Sequence, residues 1–293
     1  MEQNYIIATA STCDLTRDYL EENNIPFIPY SYIVGDDVYY DDCLEETRDK
    51  VYKRMRGGEI LSTSAINAFT YREFFEELLK QNKDIVFMDM SRPLSASYRF
   101  CDEAIEELKK DYPDRRIVNV NTCCVSGGLG LLVMMVNEQY KAGKPMDELL
   151  TWIEDNKLKI AHRFTVDDLS WLKRGGRVSN AAALVGTLLS IKPVLYVPND
   201  GSLVVSTKAR GRKRALATII DSIKKDLVNY ADGARILINH ADCYDEAKYI
   251  ADELKAEYPG IKEIMIKGLG VVIGAHCGPG LIAVFYITDK RSE

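Results

Sequence analysis

Hydroxyl side chains in short polar turns are the feature of this 293-residue chain best suited to ligand chemistry. Thr63, Ser64, Ser95, Ser97 and Ser126 each follow a β-rich run and precede a helical pattern. In an open parallel sheet, ligands sit beyond the carboxyl ends of the strands, where helix N-termini present unpaired N–H groups. Hydroxyls in those turns are expected to converge on one anionic group with no Lys or Arg at the centre, a pattern suited to a single carboxylate rather than a triphosphate. Singly, each hydroxyl is an ordinary helix cap. Their joint placement is what points to a ligand.

The elements that must carry these residues repeat one unit in the first half: strand, hydroxyl-bearing turn, helix. Tyr5 to Thr9 precedes a helix near Leu15 to Glu22, and Asp84 to Met88 precedes Ser91–Ser97 and a helix to about Lys110. Val118 to Val120 leads through Ser126-Gly127-Gly128 into a long apolar helix that ends near Gly143-Lys144-Pro145. Ile60 to Ser64, with Phe69, Phe74, Phe75, Leu78 and Leu79 following at helical spacing, supplies another hydroxyl pair that opens a helix.

The second half shows a short helix (Asp167 to Lys173) broken at Gly175-Gly176, a small-residue helix from Ser179, and strands at Pro193–Val197 and Leu203–Thr207 around an Asn199-Asp200-Gly201 turn. A basic loop and helix follow (Ala209 to about Asn229), then strands at Arg235–His240, Glu263–Lys267 and Leu281–Thr288 and a helix at Asp245–Tyr258. The expected fold class is α/β in two domains: residues 1–160 around a parallel sheet and residues 161–293 around a mixed sheet, with the ligand between them.

Bulk properties narrow the function. A net charge of -6 with 46% apolar and 28% charged residues describes an ordinary globular protein without general attraction for nucleic acid or an anionic membrane. No basic leader or ~20-residue apolar run marks a secreted or membrane-spanning chain, so a cytoplasmic location without an integral membrane segment is expected. Seven cysteines without CxxC spacing are expected to be free, mostly buried thiols. His162 and His240 lack a ligand pattern and are expected to be structural, with no metal. GxxxxGK[ST] is absent, and the glycines at 127, 128, 130, 268, 270 and 274 do not form a GxGxxG fingerprint, so no nucleotide cofactor is expected.

Two other constellations compete. His276, beside Cys277, would serve an acyl ester or thioester hydrolase with Ser95 or Cys277 as nucleophile. No GxSxG elbow supports this alternative, and no catalytic residue is assigned. The basic clusters at Lys208, Arg210, Arg212, Lys213 and Arg214, and at Lys173, Arg174 and Arg177, lack interleaved aromatics, which favours a protein or phosphate partner over nucleic acid.

Phe164-Thr165-Val166-Asp167-Asp168-Leu169-Ser170-Trp171-Leu172-Lys173-Arg174-Gly175-Gly176-Arg177-Val178-Ser179 resembles the signature of the DegV family of fatty-acid-binding proteins. The resemblance continues in Ile191-Lys192-Pro193-Val194-Leu195, in Lys208 to Ala215, in Val272 to Gly280, and in Ser11 to Leu15, Thr63-Ser64 and Leu94 to Tyr98. It implies a two-domain fold enclosing an acyl chain, with the carboxylate held by Thr63, Ser95 and His276. Ser64, Ser97, Ser126, Gly274 and Ala275 are further candidate head-group contacts. It also implies a non-catalytic carrier that presents a long-chain fatty acid to a separate ATP-dependent fatty acid kinase for phospholipid synthesis. The basic cluster is then expected to turn Arg210 and Arg212 toward that partner or its phosphate. The chain departs from the family pattern at Ala65-Ile66, Ala96, Asn121-Thr122, Ala275 and Cys277, which alters the pocket wall and removes hydroxyls near the head group.

Such a carrier is physically sensible. Burying a ~16-carbon tail at about 0.8 kcal/mol per CH₂ offers roughly 12 kcal/mol before association costs. The carboxylate needs compensating donors, and neutral ones would leave it nucleophilic toward a γ-phosphate where an arginine fork would mask it. Phe69, Phe74, Phe75, Leu131, Leu132, Met134, Met135, Leu184, Leu188 and Leu189 are the expected tunnel-lining residues.

Overall fold

The computed structural model describes residues 3–178, 191–227, 232–289 and 291. Its first sheet is all-parallel and joins β2 (Phe27–Ile28), β1 (Tyr5–Ala10), β6 (Asp84–Asp89) and β7 (Ile117–Asn121) in that order. All six residues of β1 are buried, as expected of a strand covered on both faces. Ile6, Ala8, Ile85 and Phe87 face one core with Tyr71 and Phe75 of α3 (Ala68–Leu79) and Ile105 of α4 (Ser97–Asp111). Ile7, Val86 and Met88 alternate to the other face, in a core with Leu129 and Leu132 of α5 (Gly127–Lys141).

The second sheet orders β10 (Val204–Arg210), β9 (Ile191–Tyr196), β8 (Ile160–Thr165), β13 (Ile282–Ile287), β11 (Arg235–His240) and β12 (Glu263–Gly268). All its pairings are antiparallel except β11 with β12. One face packs on α8 (Arg212–Leu227) and α9 (Tyr244–Glu257). The other meets α5, which therefore lies between the two sheets and contacts strands of both. Its opening run, Gly-Gly-Leu-Gly-Leu-Leu-Val-Met, is buried throughout, because a helix flanked by two sheets needs apolar residues on every side. A Cβ on Gly128 would lie 2.0 Å from His162 Nε2, so glycine sets this close approach.

A third, small sheet is antiparallel in the order β4 (Asp37–Tyr40), β3 (Ser31–Val34), β5 (Leu61–Ser64). It carries Thr63 and Ser64 and corrects the expectation that they open a helix beyond a parallel strand. Leu61–Ser64 pairs with the hairpin strand Ser31–Val34, and α3 is capped instead by Asn67, whose side chain accepts from Thr70 N–H at 2.9 Å. The hairpin, α2 (Glu45–Arg56) and α6 (Met146–Asn156) were not anticipated. β8 falls in a stretch for which the sequence reading expects no strand. The small-residue helix expected from Ser179 falls at 179–190, outside the described residues.

Among the described residues, no helix is long and apolar enough to cross a membrane, and no group of three or more His, Cys, Asp or Glu side chains is placed to hold a metal ion. All seven cysteines are free and six are buried.

Candidate functional site

Thr63 is half-buried on β5, between exposed Ser62 and Ser64, so strand alternation turns its side chain toward the interior. His276 lies in the last turn of α10 (Val271–Cys277), a helix for which the sequence reading gives no element. This helix packs on β3, β5, α2 and α7 (Leu169–Gly175). The first half of the chain holds its entry: the Tyr52 hydroxyl donates to Leu269 O at 3.1 Å, and the buried Arg48 guanidinium donates to Gly268 O at 2.8 Å and Leu15 O at 2.9 Å. At its exit Gly278 adopts φ +78°, and a Cβ there would lie 2.3 Å from the Trp171 ring. Conformation and space both require glycine.

The result is a contact between distant segments: Thr63 Oγ1 lies 2.9 Å from His276 Nε2. Ser95 opens on the same pocket, in extended conformation after the 3₁₀ turn Arg92–Leu94. Its Oγ accepts from Ser97 N–H at 3.2 Å and lies 3.5 Å from the Tyr30 hydroxyl. The pocket holds about 100 Å³, and Thr63, Ser64, Ser95, His276, Tyr30 and Arg177 supply its polar groups. Val125, Leu203, Ile273 and Cys277 also wall a second cavity of about 40 Å³, completed largely by apolar side chains such as Phe164, Leu281 and Phe285. A pocket whose apolar wall carries hydroxyls, an imidazole and a guanidinium thus adjoins an apolar void against the inner face of the second sheet.

Burial and, next, the Arg177 charge push His276 down to about 4, against a backbone hydrogen bond at Gly175 that pulls the other way. Its imidazole is therefore neutral at pH 7. Burial, with a contribution from Asp14, pushes the Cys277 thiol up to about 12. A thiol held protonated, and an imidazole engaged by Thr63 and Gly175, are poor equipment for nucleophilic attack. The arrangement gives the hydrolase alternative no support.

The other sequence candidates separate. Ser64 lines the pocket and shares a 2.6 Å hydrogen bond with Ser31. Buried Ser97 accepts from Ile66 N–H at 3.1 Å and does not line the pocket. Ser126 borders the apolar cavity and donates to Asp14. Gly274 packs against the Tyr52 hydroxyl and Ala275 is buried, and neither lines the pocket. Arg210 is exposed beside an open groove between β10 and α8, whereas Arg212 is paired with Glu246 at 2.5 Å.

Two expectations need correction. Arg177 does line the pocket, so its centre is not free of cationic side chains. Two of its nitrogens donate to Gly175 O at 2.6 Å and Leu94 O at 3.3 Å, which supplies charge without a fork aimed into the pocket. The expected tunnel residues within the described chain line neither cavity. Phe69 is 67% exposed, and Phe75, Leu131 and Leu132 are core residues. Leu184, Leu188 and Leu189 lie outside the described residues. Helical periodicity identifies apolar faces but not which of them meets a void. Tyr30 was missed altogether, because no sequence spacing links it to Ser95.

Two sheets enclosing a glycine-opened helix, with a pocket carrying hydroxyls and an imidazole beside them, define an α/β protein with an internal pocket. The sequence profile of the DegV family, described as uncharacterised proteins, matches residues 5–289. A DegV domain-containing protein of Clostridium perfringens is 39% identical over 290 residues, 99% of each chain. The crystal structure of DegV from Bacillus subtilis, described as a fatty acid binding protein, matches with a TM-score of 0.85 at 25% identity over 98% of this chain and 100% of its own. A DegV family protein of Thermus thermophilus, described by its fatty acid binding, matches with a TM-score of 0.87 at 25% identity over 98% of this chain and 100% of its own. This chain belongs to the DegV family.

Proposed function

We propose that this protein binds a long-chain fatty acid between a lobe of residues 1–160 and a lobe of residues 161–293, with the carboxylate on Thr63, Ser95 and His276. The observation that carries the reading is that these three residues share one pocket, which adjoins an apolar cavity through Val125, Leu203, Ile273 and Cys277. The fatty-acid binding described for the Bacillus and Thermus relatives supports it. The two cavities are smaller than the ~300 Å³ of a typical ligand pocket, so a long tail must part the apolar side chains around Leu203 and Ile273. That cost is set against roughly 12 kcal/mol of gross tail burial. Arg177 offsets the carboxylate charge while two of its nitrogens remain occupied by carbonyls.

In this reading the protein is a carrier, and a separate ATP-dependent kinase phosphorylates the presented carboxylate. Exposed Arg210 and the paired Arg212 form part of the partner face. Native mass spectrometry of the purified protein tests the ligand: a fatty-acid-sized adduct lost on denaturation is expected, and its absence after incubation with hexadecanoate refutes the reading. Incubation with a fatty acid kinase and ATP tests the carrier role through acyl phosphate formation.

A further inference from the structure

Asp89, the last residue of β6, lies behind the pocket and outside its lining. It is buried and collects four donors. Oδ1 accepts from the Thr12 hydroxyl at 2.8 Å and Met90 N–H at 2.6 Å, and Oδ2 accepts from the hydroxyls of Tyr30 at 2.7 Å and Tyr71 at 3.1 Å. Burial raises this carboxyl above the usual range, and hydrogen bonds from all four partners work to keep it ionised. Oδ2 accepts the Tyr30 hydroxyl at 2.7 Å, which commits the single proton of Tyr30 to Asp89.

The consequence reaches the pocket. Toward Ser95, at 3.5 Å, the Tyr30 oxygen has only a lone pair to offer. Ser95 Oγ already accepts from Ser97 N–H, and its own proton rests against Tyr30 at the limit of hydrogen-bond distance. That proton is available to any better acceptor that enters. We infer that Asp89, through Tyr30, is a positioning residue that sets Ser95 as a donor and makes the pocket select an ionised carboxylate over an alcohol of the same chain length. An alcohol can accept from Ser95, but its own proton enters a site whose cation, Arg177, favours an anion. The inference rests on the fatty-acid reading and adds head-group selectivity to it.

The test measures binding of hexadecanoate and hexadecan-1-ol to the full chain, as wild type and as Tyr30→Phe, Asp89→Asn and Tyr71→Phe. Tyr71→Phe is the control, because it removes a hydroxyl from the same Asp89 oxygen but lines no part of the pocket. Wild type is expected to prefer the acid by at least about 10-fold, and Tyr30→Phe and Asp89→Asn to reduce that ratio by about 5-fold or more through weaker acid binding alone. Tyr71→Phe should keep the wild-type ratio. An unchanged ratio in Tyr30→Phe, or an equal loss in Tyr71→Phe, overturns the role of Asp89 while leaving fatty-acid binding intact. Should Asp89→Asn fail to fold, the two tyrosine variants still decide the matter. Failure of wild type to bind hexadecanoate overturns both readings.

Discussion

The Thr63 hydroxyl and the His276 imidazole meet at 2.9 Å across 213 residues of sequence. One sits on a strand of the first half and the other on a helix of the second, so the polar pocket exists only when the halves are docked. Arg48 and Tyr52 fasten that docking through the carbonyls of Gly268 and Leu269.

Removing the head-group hydroxyls should weaken acid binding without emptying the apolar cavity. Each hydrogen bond to a charged group is worth about 1.5–3 kcal/mol, so Thr63→Ala with Ser95→Ala should lower hexadecanoate affinity by about two to four orders of magnitude. Isothermal titration would read this directly. Unchanged affinity would show that the carboxylate is held elsewhere.

His276 gives a pH dependence whose sign is fixed. Its folded value, about 4, lies below the ordinary 6.5, so between these values the unfolded chain binds more protons. The stability contributed by neutral His276 is therefore complete above pH 6.5 and lost as pH falls toward 4, at up to about 1 kcal/mol per pH unit. In denaturant titrations, His276→Gln should flatten this acid limb relative to wild type.

The close approach of α5 to the second sheet should tolerate no added methyl. Gly128→Ala places a carbon 2.0 Å from His162 Nε2, and overpacking of this kind costs about 1–3 kcal/mol. Calorimetry should show a melting temperature lower by about 2–5 °C. An unchanged value would mean that the helix shifts freely between the sheets.

On the proposed partner face, Arg210→Glu should leave hexadecanoate binding unchanged and reduce kinase-dependent acyl phosphate formation by about 10-fold, the loss of roughly 1.4 kcal/mol of interfacial charge pairing. Arg210 is the informative position because Arg212 is committed to Glu246. Equal turnover in the variant would remove Arg210 from the interface.

Local pattern made much of the fold legible. The buried run Tyr5–Ala10, the Gly143 stop after α5 and the left-handed Gly176 that ends α7 all follow from rules acting over a few residues. The Leu61–Ser64 segment escaped those rules, because four residues do not reveal whether a strand joins a parallel sheet or pairs with a hairpin. The expected tunnel residues failed for a related reason: an apolar helix face has the same spacing whether it meets core or cavity.

The sequence by itself determined the alternation of strands and helices, the family and the set of hydroxyls and imidazole available to hold an acid. Tertiary structure alone decided that Arg177 and Tyr30 join Thr63, Ser95 and His276 in one pocket, and that Ser97 and Ser126 serve other contacts. Short-range preferences are written in neighbouring residues. Convergence of strand and helix ends from both halves depends on how two sheets close around α5, and sequence spacing does not record that.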